Sequence, residues 1–485
     1  MSNLESANQA RDCQKKMINL KQFQPKQTFM KGNDNKQDRT RREFLKRLGT
    51  TSASAFLLGG FGMQVYAGNK MSSTKQTDGA NGMTYRINRH TEDRVSLLGY
   101  GMMRLPQKDG HIDQEMVNRE VDYALEHGVN YFDTAPVYIH GQSEVSTGIA
   151  LHRHPRNSYY VATKLSDMRD HSLEAGQKMF KTSLERLQVD YIDYYLLHSV
   201  GGGKGMDTLN DRFINNGLLD WLCEQRDKGL IRNLGFSYHG DVKVFDWLLD
   251  NNKKYGFTFV QIEMNYIDWR HAGQGEGWKK DADAEYLYQK CERMGVQNVV
   301  MEPLLGGRLA KVPSEYEELM RAADPDDTPA KWAFRWVGSH ENILTTLSGM
   351  TTMEVLQENV ETFSPLQEMS EEEFDLMDRI ATGMKGIPVI PCTACQYCMP
   401  CPFGVNIPGN FAVYNNAVNS GSFPKKGEDS YKKKVKALRD SFKKKLKSEE
   451  LATKCMECGQ CLPKCPQSIR IPNQMMRIVE LIGEK

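Results

Sequence analysis

Two groups of residues in this sequence could do chemistry. The first lies near the C-terminus, where eight of the eleven cysteines fall into two short runs. Cys392, Cys395, Cys398 and Cys401 recur every third residue and end on Pro402. Cys455, Cys458, Cys461 and Cys465 repeat the pattern with one extra residue before the last, and end on Pro466. Close Cys-x2-Cys spacing brings several thiolates to one centre, which is metal chemistry rather than loop-stapling disulfides. The second group is dispersed: Asp133, Tyr138, Lys164 and His198. Each closes or follows a short apolar run, and each can bind or move a proton. A free phenol has a pKa of about 10, so it is a weak acid at neutral pH. A neighbouring ammonium favours the phenolate and makes the phenol a readier donor. Singly, these residues are ordinary structural ones. They carry a reaction only if a fold brings them together.

The rest of the chain must supply that fold. Its 485 residues are 39% hydrophobic and 26% charged, a globular composition with room for two or more domains. A net charge of +1 gives no sign of nucleic-acid binding. From Thr84 to Ser364 short apolar runs alternate with amphipathic stretches. The runs are Leu97–Met102, Asn130–Thr134, Tyr159–Lys164, Tyr191–His198, Ile231–Ser237, Phe259–Asn265, Val296–Glu302 and Ile343–Ser348. Helical patterns such as Gln114–Glu126, Ser172–Leu187 and Val242–Asn251 lie between them. Roughly eight β-α alternations predict a (β/α)8 TIM barrel, in which C-terminal strand ends carry the chemistry. Those ends hold Asp133, Lys164, His198 and Ser237, with Tyr138 in the loop after the second strand. Thr84–Ile87 and Arg94–Ser96 predict a hairpin closing the bottom. Thr351-Thr352-Met353-Glu354 predicts a capping box opening the last barrel helix. After a helix over Glu371–Ala381, Gly383–Ile390 reads as a linker.

The N-terminus resembles an address. Thr40-Arg41-Arg42-Glu43-Phe44-Leu45-Lys46 is similar to the twin-arginine export signal. The uncharged stretch from Leu48 to Asn69 is too weakly apolar for a membrane helix, and Val65-Tyr66-Ala67 has the small-residue pattern of a cleavage site. Residues 1–67 are then a signal and leader, and 68–83 a linker. The mature protein is expected to be exported, to the periplasm or beyond, with no stable membrane anchor. If the arginine pair is chance, the stretch is a disordered tail and the protein cytoplasmic. Translation starting at Met30 would shorten the leader.

Residues 84–382 resemble the aldo/keto reductase family. The likeness rests on Asn130-Tyr-Phe-Asp-Thr-Ala-Pro-Val-Tyr138, Val161-Ala-Thr-Lys164, Tyr195-Leu-Leu-His198 and Gly235-Phe-Ser237, extended by Gln261-Ile-Glu-Met-Asn265 and Ser348-Gly-Met-Thr351. The resemblance implies reduction of a small carbonyl, or oxidation of the alcohol, with NADP or NAD. Tyr138 would donate the proton and Lys164 would acidify it. Asp133 would keep Lys164 charged, and His198 would hydrogen-bond the substrate carbonyl. Ser237 and Gln261 would meet the nicotinamide carboxamide. Met301 stands where many members stack an aromatic ring. Gly349, Met350, Glu358 and Asn359 look like the dinucleotide-binding end. No Lys or Arg stands near Gly349 and Val355 for a 2′-phosphate, so NAD and NADP both stay open.

Residues 383–485 resemble a small helical ferredoxin-type dicluster domain. Cys455-x2-Cys458-x2-Cys461-x3-Cys465-Pro matches the bacterial [4Fe–4S] run, and the first run is one residue short of it. Cys401-Pro-Phe-Gly-Val-Asn-Ile-Pro408 mirrors Cys465-Pro-Gln-Ser-Ile-Arg-Ile-Pro472, an internal repeat that argues for two clusters. The resemblance implies swapped fourth ligands: Cys392, Cys395, Cys398 and Cys465 on one cluster, and Cys455, Cys458, Cys461 and Cys401 on the other. Two zinc sites, each held by four thiolates, are the alternative. Lys425–Lys447 is basic, with Val435, Leu438, Phe442 and Leu446 at helical spacing; it reads as a solvated helix with one packed face, or as a dock for an acidic redox partner protein. Cys13 lies in the leader; Cys223 and Cys291 read as ordinary apolar residues.

The fusion resembles the ferredoxin-containing subgroup of the family, to which Met102-Met-Arg-Leu-Pro106 also points. Nicotinamide moves electrons in pairs and clusters move them singly, and no flavin motif is visible to mediate. An exported enzyme would carry nucleotide bound during cytoplasmic folding. The rival reading is an electron-transfer or binding protein on a catalytically silent barrel.

Overall fold

The computed structural model describes residues 76–77, 82–166, 170–272, 282–385, 388–467 and 469–483. The expected twin-arginine signal, its cleavage site and Cys13 lie outside them. Eight parallel strands form the expected barrel: β1 Leu98–Gly101, β2 Tyr131–Asp133, β3 Tyr160–Leu165, β4 Ile192–Val200, β5 Ile231–Tyr238, β6 Phe259–Glu263, β7 Gln297–Met301 and β8 Ile343–Ser348. They close in the order β5-β6-β7-β8-β1-β2-β3-β4. Helices cover the outside, so the strands are largely buried on both faces and read as mainly apolar runs. In β4, Ile192 to Leu197 are all buried.

Side chains fill the barrel rather than leaving a pore. Tyr131, Tyr194, Leu196, Phe259, Val299 and Leu344 pack inside it. The hairpin Thr84–Ile87 with Arg94–Ser96 forms as expected, and its Val95 belongs to the same interior cluster. Polar bonds staple the hairpin turn to strand starts. Asn88 Nδ2 donates to the Tyr194 hydroxyl at 3.1 Å, and Arg232 pairs with Asp93 at 2.7 Å.

The helix over Gln114–Glu126 is capped by Asp113 and the helix over Leu173–Leu187 by Ser172. The last barrel helix, Met353–Thr362, starts one residue later than a box led by Thr351 would need. Thr352 is its cap, accepting from the Val355 amide, so a single cap replaces the expected box. A full capping box forms instead at Ser370 and Glu373, opening the helix Glu371–Met384. That helix runs past Ala381 through Gly383, whose missing Cβ leaves room for the Tyr316 ring, so the connection begins later than expected.

His340 packs among Trp336, Trp269, Tyr288 and Phe374, with ring centres 4.6, 4.9, 5.5 and 5.6 Å away. Its Nδ1 meets the Trp336 carbonyl at 2.8 Å. Burial pushes its pKa down to about 4. The folded protein therefore keeps a neutral ring while the unfolded chain takes up a proton below about pH 6.5. Stability is lost as the pH falls from that value towards the folded pKa. Urea unfolding should show about 2 kcal/mol lost at this residue between about pH 7 and about pH 4.5. A His340→Gln variant should flatten that part of the slope; an equal slope in the variant would exclude His340 as its source.

The C-terminal segment has its own core, formed by the helices Ile407–Asn419, Tyr431–Lys445 and Ile471–Ile482. Leu438 and Phe442 are buried, whereas Lys432, Lys433 and Lys443 to Lys445 are exposed, as the periodicity requires. The internal repeat is visible in the backbone. Ala394 and Gln396 after Cys392 have positive φ, and so do Glu457 and Gly459 after Cys455. A helix opening Ile-Pro follows each run. Among the described residues no helix is long and apolar enough to cross a membrane.

Candidate active site and cysteine cages

The dispersed polar residues converge at the C-terminal mouth of the barrel. Lys164 Nζ bonds Asp133 Oδ1 at 2.6 Å and the Thr134 carbonyl at 2.8 Å. It stands 5.0 Å from the centre of the Tyr138 ring. The His198 ring meets that of Tyr138 edge-on, 6.0 Å between centres. All four residues are at least nine-tenths buried. Tyr138 is delivered by a turn that keeps Ile139 and His140 in the left-handed region, at φ 48° and 53°. That costs roughly 1–2 kcal/mol per residue, a strain typical of functional loops. Thr134 and Ser143 share a hydroxyl contact of 2.7 Å that ties the next helix to the end of β2.

Burial dominates the electrostatics. It lowers the pKa of Lys164 and raises that of Asp133, so dehydration opposes both charges and their contact offsets it. His198 is held well below its usual pKa, first by burial and then by Lys164, so the ring is neutral. Its Nδ1 lies 2.7 Å from Ser166 Oγ. If that hydroxyl donates, Nε2 carries the proton and can donate to a substrate. Tyr138 departs from expectation. Its pKa is raised, by burial first and then by Tyr397, rather than lowered. The Lys164 ammonium is committed to Asp133 and Thr134, so its field does not outweigh desolvation.

A cavity of about 340 Å³ opens on this cluster. Asp133 and Tyr138 reach its wall, as do the expected nucleotide contacts Gln261, Met301, Gly349, Glu358 and Asn359. Lys164 and His198 stand behind that wall. Gln261 Oε1 is buried and has no hydrogen-bond partner, which suits the amide hydrogens of a nicotinamide carboxamide. Asn359 donates to Ser348 Oγ at 2.9 Å, and Thr328 donates to Glu358 at 2.9 Å. Two expected contacts lie off the wall. Ser237 is fully enclosed, and its Oγ accepts from the Ser199 amide at 2.9 Å. Met350 is buried in the core, and its carbonyl accepts from the Tyr100 hydroxyl. The site also holds residues not expected from sequence: Ser166 behind His198, and His239 on the wall. His239, two residues past Ser237 at a strand end, carried a readable signal; Ser166 carried none.

The cysteines gather in two fours. Cys392, Cys395, Cys398 and Cys465 line one small cavity. Cys401, Cys455, Cys458 and Cys461 line another, which Cys398 also borders. Burial raises the pKa of Cys392 and Cys398 to about 12, each with Cys395 and Cys465 among its charged neighbours. Cys455 and Cys461 instead feel Cys401 and Cys458. This is the swapped grouping. Backbone amides of Ala394, Tyr397 and Gln467 bond sulfurs of the first four, and that of Glu457 bonds Cys455. Amide-to-sulfur bonds of this kind tune iron–sulfur clusters. The exchange of the fourth cysteine between the two groups is the ferredoxin arrangement, so the donor set fits iron–sulfur clusters.

The first four are the inner cage, against the mouth of the barrel. Gly306, after β7, touches Thr393 so closely that a Cβ would lie 2.5 Å from its Cα. The Arg104 guanidinium, after β1, donates to the Thr393 carbonyl. Gln467 donates to Glu263, the last residue of β6, at 2.8 Å. Cys395 and Tyr397 consequently line the cavity that holds Tyr138 and Gln261.

Residues 97–382, more than half the chain, match the aldo/keto reductase family. The chain belongs to the aldo/keto reductase family. Residues 391–469 match a 4Fe–4S dicluster domain. A probable aldo-keto reductase 1 of Glycine max is 27% identical over 303 residues, covering 55% of this chain and 80% of that protein. The L-galactose dehydrogenase of Arabidopsis thaliana is 26% identical over 314 residues, covering 61% and 93%. Among solved structures, the holo form of aldo-keto reductase AKR11C1 from Bacillus halodurans superposes with a TM-score of 0.50 at 25% identity, covering 61% of this chain and 96% of that one. This reductase is therefore an oxidoreductase whose barrel is joined to an iron–sulfur domain, and its assembled tetrad argues against a silent scaffold.

Proposed function

We propose that this reductase interconverts a small carbonyl compound and its alcohol with a nicotinamide nucleotide, and exchanges single electrons with a redox partner through two [4Fe–4S] clusters. The observation that carries the first half is one cavity wall bearing both Tyr138, beside the Lys164–Asp133 pair, and Gln261, whose buried Oε1 lacks a partner. A bound reduced nicotinamide supplies the hydride. Tyr138 supplies the proton to the oxygen that then carries negative charge. Asp133 and Lys164 fix the electrostatics beneath the phenol, and neutral His198 orients the substrate oxygen through Nε2.

Charge at the far end of the cavity favours NAD over NADP. Val355 is exposed there, Glu358 presents a carboxylate, and Arg104 is engaged by Thr393. A carboxylate suits a ribose hydroxyl and repels a 2′-phosphate. The two cysteine cages differ in position. The inner cage faces the barrel cavity. The outer one has Cys458 exposed, with Phe403, Met456 and Leu462 presenting apolar surface beside it. That face suits a partner protein, with the basic helix Tyr431–Lys445 steering an acidic one. The twin-arginine stretch supports export of the folded, loaded protein, with nucleotide acquired in the cytoplasm.

Mass spectrometry of the intact protein from its native compartment tests this reading. The expected yield is about eight iron atoms per chain, as two [4Fe–4S] clusters require, together with bound NAD(H). An iron-free preparation, or one that neither retains a nucleotide nor reduces an aldehyde when given one, would sink it.

A further inference from the structure

Thr393 lies between two cysteines of the inner cage, Cys392 and Cys395, at a point where that cage rests on the barrel. The Arg104 guanidinium donates to its carbonyl, and Gly306 closes on its backbone. The stem of Arg104 runs past Gly349, the first residue after β8. A Cβ on that glycine would lie 3.8 Å from both Cβ and Cδ of Arg104. No Lys or Arg lies near Gly349 in sequence, yet the fold brings one there from the end of β1. The loops after the last two strands are a frequent phosphate seat in barrel enzymes. Here Gly306, Gly307, Gly349 and Thr351 supply that part of the cavity wall.

Charge singles out Arg104. Of the described residues on the cavity wall, Asp133, Glu263, Glu302 and Glu358 are acidic, and Arg104 alone is Lys or Arg. Lys164 stands behind the wall, paired with Asp133. A dinucleotide must bring its doubly charged pyrophosphate into these surroundings. A guanidinium presents a rigid fork of several N–H donors. One of them is committed to Thr393, and among the described residues Arg104 forms no ion pair. The same cation favours the thiolates of Cys392 and Cys395 against their burial.

Resting on the reductase reading, we propose that Arg104 binds the nucleotide pyrophosphate and the inner cage at once, so that nucleotide binding and reduction of the inner cluster oppose each other. One cation faces two sites that carry negative charge. With nucleotide bound, its field is shared with the pyrophosphate, and an added electron in the cage is less stabilised. Linkage is reciprocal, so an electron in the cage loosens the nucleotide by the same factor. Nucleotide release is thereby favoured in the state in which the inner cage holds an electron.

The test uses full-length protein with both clusters in place and ADP-ribose, which carries the pyrophosphate but no reducible ring. ADP-ribose should bind at least about fivefold more weakly to dithionite-reduced protein than to oxidised protein, the lower end of typical coupling. In a redox titration followed by EPR, saturating ADP-ribose should lower one cluster midpoint by about 40 mV or more, which is that factor converted at about 59 mV per tenfold for one electron. Arg104→Gln should weaken ADP-ribose binding to oxidised protein roughly 10- to 150-fold, as loss of a charged hydrogen-bond partner does. The variant should show no dependence on redox state. If it loses iron, the two measurements on the native protein still decide. Equal affinity in both redox states overturns the proposal, as does tighter binding to reduced protein or an iron-loaded variant that binds as tightly as the native chain. If the native protein binds neither NADH nor ADP-ribose, the nucleotide reading falls and takes this proposal with it. If it binds NADH and ADP-ribose shows no redox dependence, only the role of Arg104 falls.

Discussion

Replacing Tyr138 by Phe should lower single-turnover aldehyde reduction by roughly 10²–10⁴-fold, the range a general acid contributes. The change removes one oxygen and keeps the ring that packs edge-on to His198 and beneath which Lys164 sits. Nucleotide binding, which the cavity assigns to Gln261, Gly349, Glu358 and Asn359, should change little. Iron content should not change. The pH behaviour of the native enzyme belongs to the same prediction. Burial holds the Tyr138 pKa well above its usual value of 10, so the phenol keeps its proton across the neutral and mildly alkaline range. Reduction should show no loss from Tyr138 ionisation there. A Phe variant that turns over at the native rate, measured by nucleotide absorbance in a single turnover, would remove Tyr138 from the chemistry.

The parts of this site that could be read from sequence are those fixed by local physics. Barrel strands are buried on both faces, so β4 and β8 announce themselves as apolar runs, and a polar residue at their ends stands out. Cysteine spacing is likewise local, and the backbone repeat at Ala394 and Gln396 against Glu457 and Gly459 follows from it. What was not legible depends on contacts between segments far apart in the chain. Nothing in Cys395-Gln-Tyr-Cys398 says that its tyrosine lines the cavity that holds Tyr138. The direction of the Tyr138 pKa failed for a related reason. The reading placed Lys164 beside the phenol and paired it with Asp133, but could not show how completely the fold would bury the phenol, and burial sets the direction. The last barrel helix shows a smaller case: two adjacent threonines offer two caps, and packing chose Thr352.

The Lys164–Asp133 pair should separate stability from catalysis. Lys164→Met leaves the Asp133 carboxylate buried without its cation, with Oδ2 already lacking a partner and Oδ1 losing one. Removing one partner of a buried pair costs about 3–5 kcal/mol. The pH dependence identifies the cause. Without Lys164, burial raises the folded-state pKa of Asp133 above the unfolded value of about 3.9. The penalty is then absent below that value and grows as the pH rises through the folded pKa. Urea unfolding should therefore show the variant close to native stability at about pH 4 and markedly weaker at about pH 7. Asp133→Leu combined with Lys164→Met removes both charges and should recover most of the lost stability, since apolar replacement of a buried pair is often neutral or better. It should recover no activity, because the field beneath Tyr138 is gone. A double variant that regained turnover along with stability would show that the pair holds the barrel mouth together and takes no part in the chemistry.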